Sequence, residues 1–134
     1  MKQPTVNIFI KTDSHYQVDR AKVRKAVSSV LLEKRVRAKA IVSINIVGNR
    51  QMKKLNEKYR KIDKTTDVLS FPLSDPSAPD TFVYPPHEEL YLGDIVVCYP
   101  VAVEDAGEED KMVDDKIDEL IKHGMLHLLG YHHD

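Results

Sequence analysis

Five of the seven prolines fall between residues 72 and 86, and no other feature limits the possible folds of this chain as strongly. Proline has no N–H to give to a sheet ladder and breaks a helix interior, so this stretch is predicted to be a loop. Loops of this length often flank an active site. Regular structure must then come from the residues on either side. Upstream, residues 5–11 (TVNIFIK) alternate as an opening strand. Asp19 stands as an N-cap before Val23, Ala26, Val27, Val30 and Leu31, which repeat at helical spacing. Residues 41–47 read as a second strand with Val42, Ile44 and Ile46 on its buried face. Gly48-Asn49 turns the chain, and Met52, Leu55 and Tyr59 stripe a short basic helix. Residues 67–71 (DVLSF) form a third strand, ended by Pro72.

Downstream of the loop, residues 91–98 (YLGDIVVC) read as a fourth strand. Pro100 suits the first turn of a helix that fades near Gly107. The last helix is predicted over 111–129, with Val113, Ile117, Leu120, Ile121 and Leu128 among its apolar positions. Gly130 supplies its stop, because glycine tolerates a left-handed backbone. Strands alternate with helices, and two strands adjoin across the proline loop. The expectation is a single α/β (α+β) domain spanning residues 1–134. It would hold one mixed, four-stranded sheet packed with helices, in a strand order the sequence leaves open.

Nothing in the chain reaches 18 consecutive apolar residues, and its start has no apolar leader segment, so a cytoplasmic protein without a membrane anchor is expected. Cys98 is the only cysteine, which rules out an intrachain disulfide and a cysteine-based zinc site. At the end of an apolar run it reads as a buried structural thiol. The net charge of −1 conceals segregation: residues 20–64 hold fifteen Lys/Arg against three Asp/Glu, and residues 65–134 hold three against sixteen. A basic face formed by the first block would suit a polyanion.

Four of the six histidines lie in the last twelve residues, as His123, His127, His132 and His133. Residues four apart stack on one helix face, so His123 and His127 can offer two imidazoles to one ion. After Gly130 reverses the chain, a histidine from the next few residues can supply a third. Three neutral imidazoles suit zinc and leave a fourth position for water, whose pKa then falls to about 7. That is hydrolase chemistry, with one zinc per chain at the end of the C-terminal helix. The spacing His-x3-His-x2-Gly-x2-His equals that of the metzincin proteases. Those enzymes carry a glutamate base directly after the first ligand, and Gly124 occupies that position here. A peptidase would therefore lack its usual base.

These residues resemble the YbeY-type rRNA maturation endoribonucleases, whose signature is His-Gly-x-Leu-His-Leu-x-Gly-Tyr-Asp-His. Residues 123–133 match every fixed position but one, His132 standing where the family has Asp. Further blocks are similar: Leu55-Asn56, Tyr59-Arg60, Asp63, the run from Thr66 to Pro72, and Leu92-Gly93-Asp94-Ile95. The resemblance implies a single α/β domain with zinc on His123, His127 and His133. It implies metal-dependent cleavage of single-stranded RNA in maturation of the small-subunit rRNA 3′ end, with ribosome quality control and the ribosome or its small subunit as partner. It also implies that Arg60 acts on substrate phosphate.

Other residues carry weaker signals. Asp67 either caps a turn or faces the metal. Asp94, in an apolar strand, needs a partner if buried, which could be a ligand imidazole, backbone or Arg60. Tyr131 is expected to pack at the turn, and His15 and His87 to lie on the surface. His132 is a rival ligand to His133. Two other functions remain open: a metallopeptidase or other metal-dependent hydrolase, and a non-catalytic ribosome-associated module stapled by zinc. An open metal position favours an enzyme, and four protein ligands favour the staple.

Overall fold

A computed structural model describes residues 6–13, 15–36, 39–73 and 89–131. The order of elements is β1 (Val6–Thr12), α1 (Arg20–Glu33), β2 (Lys39–Val47), α2 (Asn49–Arg60), β3 (Val68–Pro72), β4 (Glu89–Cys98), α3 (Tyr99–Glu108) and α4 (Val113–Leu128). Most of the predicted proline loop, residues 74–88, lies outside the described residues. Pro72 closes β3, which is an edge strand, so its missing N–H leaves no gap inside the sheet.

The four strands form one mixed sheet in the order β1-β2-β4-β3. β1 pairs with β2 and β2 with β4 in parallel, while β3 runs antiparallel to β4. The α+β expectation, with its single mixed sheet, is met. Asp19 caps α1, its carboxylate accepting the Lys22 N–H at 3.1 Å. The residues buried on α1 are the five of the predicted stripe. Along β2 the alternation sorts the two faces of the sheet: Val42, Ile44 and Ile46 point into a core shared with α1 and α4. Val47 points the other way, into a smaller cluster with Met52, Leu69, Val96 and Cys98. Helix α2 therefore covers one face, and α1 with α4 cover the other.

Gly93 holds β4 in register. The pairing with β2 slips by one residue here, Ile41 facing Tyr91 and Val42 facing Gly93, so Leu92 is the extra residue of a bulge. Gly93 has φ +135°, and a Cβ there would lie 2.2 Å from the Phe71 carbonyl oxygen. Only glycine fits where the backbones of β3 and β4 come this close. Beyond the bulge, Ile95 and Val97 face α4, while Asp94 shares the α2 face with Val96.

Two elements depart from expectation. On α2 the buried pair is Met52 and Asn56, and Tyr59 is 55% exposed, resting against Phe71 with ring centroids 4.9 Å apart. Asn56 wins the inward position because its Nδ2 donates to the Lys64 carbonyl at 2.8 Å, holding residues 61–65 back along the helix. Helix α4 starts at Val113 rather than at residue 111, and its first turns bury Lys116. That ammonium is matched by Glu109 at 2.8 Å and Glu119 at 3.6 Å. The contact with Lys116 draws the Glu109 carboxyl below its usual range, and Lys111 does the same to Glu119. Charge segregation is partly cancelled where α1 meets α4, through the Lys22–Asp115 ion pair. On α2 and the segment after it, Arg50, Lys53, Lys54, Lys58, Arg60, Lys61 and Lys64 are all exposed.

Candidate metal centre

Helix α4 lies across β3 and β4, and Gly124 packs against Ile95 of β4. A Cβ at 124 would sit 3.0 Å from Ile95 Cγ2, so the backbone of the helix presses directly on the sheet. The residues that flank this contact are His123 and, one turn later, His127. Both are half-buried, with ring centroids 4.7 Å apart and planes at 58°. The helical stacking expected from their spacing is present. Ser70 Oγ lies 3.3 Å from His127 Nδ1. With Nδ1 protonated, this ring donates to the serine and turns Nε2 to a metal, the usual arrangement for a ligating histidine.

Both imidazoles open on a cavity of about 390 Å³ whose lining also includes Arg60, Thr66, Asp67 and Ser70. Arg60 is exposed at the C-terminal end of α2, on the far side of the sheet from α4. It reaches the same cavity because β3 is the sheet edge and both helices end near it. Asp67 lines the cavity too, yet its carboxylate also caps its own strand, accepting the Val68 N–H at 2.7 Å and the Thr66 hydroxyl at 3.4 Å. Asp94 is not brought to the histidines. It lies on the α2 face, half-buried, and accepts a hydrogen bond from Tyr91 Oη at 3.3 Å. Burial, and then the Asp94 charge, push the Tyr91 phenol above its ordinary pKa.

The end of α4 turns as the sequence suggested. Gly130 adopts φ +90°, its N–H reaches the His127 carbonyl at 3.0 Å, and the Tyr131 N–H reaches the Leu126 carbonyl at 2.8 Å. This paired closure is a Schellman cap. Tyr131 is exposed, with the Lys34 ammonium 4.5 Å from its ring centre. His15 is a surface residue paired with Asp13 at 2.8 Å, and Cys98 is fully buried. His87, His132, His133 and Asp134 lie outside the described residues. Among the described residues no group of three His, Cys, Asp or Glu side chains could hold a metal ion. The donor set fits zinc to the extent it is described: two neighbouring imidazoles, one oriented by a hydroxyl, facing an open cavity.

Ser70 is the site residue that the periodic reading did not assign. Its signal was present, since residues two apart on a strand share a face and Val68 packs into the α4 core.

The family model "Endoribonuclease YbeY" matches residues 8–134. A protein of that name from Dehalococcoides mccartyi (strain CBDB1) is 36% identical over 133 residues, covering 96% of this chain and 80% of the relative. Another, from Roseiflexus sp. (strain RS-1), is 37% identical over 130 residues, covering 97% and 80%. The solution structure of TM1509 from Thermotoga maritima is similar with a TM-score of 0.57 and 27% identity, covering 96% of this chain and 75% of that one.

Proposed function

The chain belongs to the Endoribonuclease YbeY family, and from that premise we propose a zinc-dependent endoribonuclease that cleaves single-stranded RNA in the cytoplasm. Its task is maturation of rRNA, at the 3′ end of the small-subunit RNA, together with ribosome quality control. The observation that carries this reading is the common cavity of His123, His127 and Arg60. It joins a metal-binding pair to a permanent cation suited to phosphate.

The residues that would hold zinc are His123, His127 and His133. When bound, the metal supplies positive charge for phosphoryl oxygens and activates water for attack. Ser70 fixes the His127 ring, so this imidazole needs little reorganisation to coordinate. Arg60 presents a planar, always charged fork that can grip two phosphate oxygens and hold the scissile bond at the cavity mouth. The exposed basic surface of α2 continues that grip outside the cavity.

The peptidase alternative is disfavoured by Gly124, which supplies no base; a Cβ there would lie 3.0 Å from Ile95 Cγ2, so Ile95 would have to shift to admit a side chain. The staple alternative would require His132 as a fourth ligand. A cleavage assay on a short single-stranded RNA tests the proposal, comparing native, metal-stripped and zinc-restored protein. Loss on stripping and recovery with zinc are expected, and cleavage indifferent to chelation would remove zinc from the mechanism.

Arg60→Ala should leave the melting temperature near native, because the side chain is exposed. It should lower RNA cleavage by about a hundredfold, the scale of one lost charge-stabilising contact. A large drop in melting temperature with the same activity per folded molecule would make Arg60 structural. The third ligand is tested by ranking: His133→Ala should weaken zinc binding far more than His132→Ala. The reverse order, read by competition with a chelating dye, would move the ligand to His132.

A further inference from the structure

A second opening lies beside the metal cavity. Its volume is about 690 Å³, and its lining comprises Asn49, Arg50, Lys53, Asp63, Lys64 and Thr65. Thr65 lines this opening and Thr66 lines the metal cavity, so the two share one stretch of backbone. A strand of RNA held in the first need not leave the surface to enter the second.

The chemistry of the second opening is that of a phosphate site. Lys53 is partly answered by Asp63 at 3.6 Å, which leaves Arg50 and Lys64 to supply its net positive charge. The opening also sits at the carboxyl ends of the parallel strands β2 and β4, next to the first turn of α2. Gly48 caps that turn and has no side-chain acceptor to give. Backbone N–H groups and the positive end of the helix dipole therefore add to the two cations. The floor is held in place: Cys98 Sγ donates to Asn49 at 3.2 Å and lies 3.6 Å from Thr65 Oγ1, and Asn56 pins the Lys64 carbonyl.

We propose that Arg50 and Lys64 form a second phosphate subsite, which binds the RNA backbone beside the scissile phosphate and sets the strand's path over α2. The proposal rests on the endoribonuclease reading and adds two positioning residues to it. Phosphate is the recognised group, and an RNA backbone rather than a free anion is its source, because the opening adjoins the cavity where cleavage takes place.

The test is a salt titration of binding to a fluorescent 12-nucleotide single-stranded RNA. The variant Arg50→Ala/Lys64→Ala is run beside wild type and a charge-matched control, Lys11→Ala/Lys25→Ala, whose residues are exposed elsewhere. Each phosphate contact contributes about −0.7 to the log–log salt slope on a single strand. The subsite variant should bind about tenfold more weakly at low salt. Its slope should be shallower by about 1.4, the loss of two contacts, while the control keeps the wild-type slope. In cleavage assays the subsite variant should raise KM and leave kcat near wild type. Equal changes of slope in the two variants would overturn the subsite and leave the nuclease reading standing. Inorganic phosphate that displaces the oligomer at constant ionic strength as well as unlabelled RNA does would also overturn it, marking a free-anion site. A wild-type protein that neither binds nor cleaves RNA would sink both readings together.

Discussion

His127→Ala should abolish RNA cleavage and take bound zinc from about one ion per chain to almost none. The metal's charge on the phosphoryl group is worth several kcal/mol, and each ~1.4 kcal/mol is tenfold in rate. The expected fall in kcat/KM is therefore about a thousandfold or more. The fold should survive. His127 is half-buried at a cavity wall, and its removal costs the hydrogen bond to Ser70 and the ring contact with His123. The Ser70 hydrogen bond contributes about 1 kcal/mol of the stability lost. Metal content by mass spectrometry, a thermal melt and a cleavage assay check the three parts. Zinc retained at full stoichiometry in this variant would mean that the α4 pair is not the metal site.

Much of this was legible in the sequence because it rests on period. The helical spacing of Val23, Ala26, Val27, Val30 and Leu31, the Asp19 cap and the His123–His127 pair are all local facts, and all are found. The misses are tertiary. Asn56 lies outside the Met52, Leu55 and Tyr59 stripe, and it is buried because residues 61–65 fold back and use its amide. Lys116 is buried because two glutamates from either side of it converge. Asp94 stood out as a carboxylate in an apolar strand. Which face of β4 would carry α4, and so whether Asp94 could meet a histidine, depends on helix placement that no strand pattern encodes. Arg60 is the converse case. The family resemblance suggested its role, and the edge position of β3 explains how a residue from the opposite layer reaches the cavity.

Gly124→Glu should unfold the protein more readily and create no peptidase. The substitution writes the zincin motif into the chain, yet the new Cβ would meet Ile95 at 3.0 Å, with Ile95 Cδ1 and Cγ1 at 3.1 and 3.2 Å. Overpacking of this kind costs about 1–3 kcal/mol. That corresponds to a melting temperature lower by roughly 4–15 °C for a domain of this size. Gly124→Ala isolates the crowding, since it adds the Cβ and omits the carboxylate. A Gly124→Glu protein that melts like wild type and hydrolyses casein would show that Ile95 yields to the new side chain, and would restore the peptidase reading.

The docking of α4 also bears on how the chain acquires activity as it is made. Ile117, Ile121 and Met125 are fully buried against the sheet face that Val27 and Leu31 cover only in part. On a ribosome residues 1–112, which hold all four strands, emerge before α4, with that sheet face still lacking the cover of Ile117, Ile121 and Met125. The histidines arrive on the same segment that closes the core. A nascent chain lacking α4 would have neither a finished interior nor the proposed metal pair, and it would offer proteases an open apolar surface. Synthesis arrested before α4 would therefore yield an apolar sheet face fit for degradation, because the helix that covers this face is also the one that carries His123 and His127.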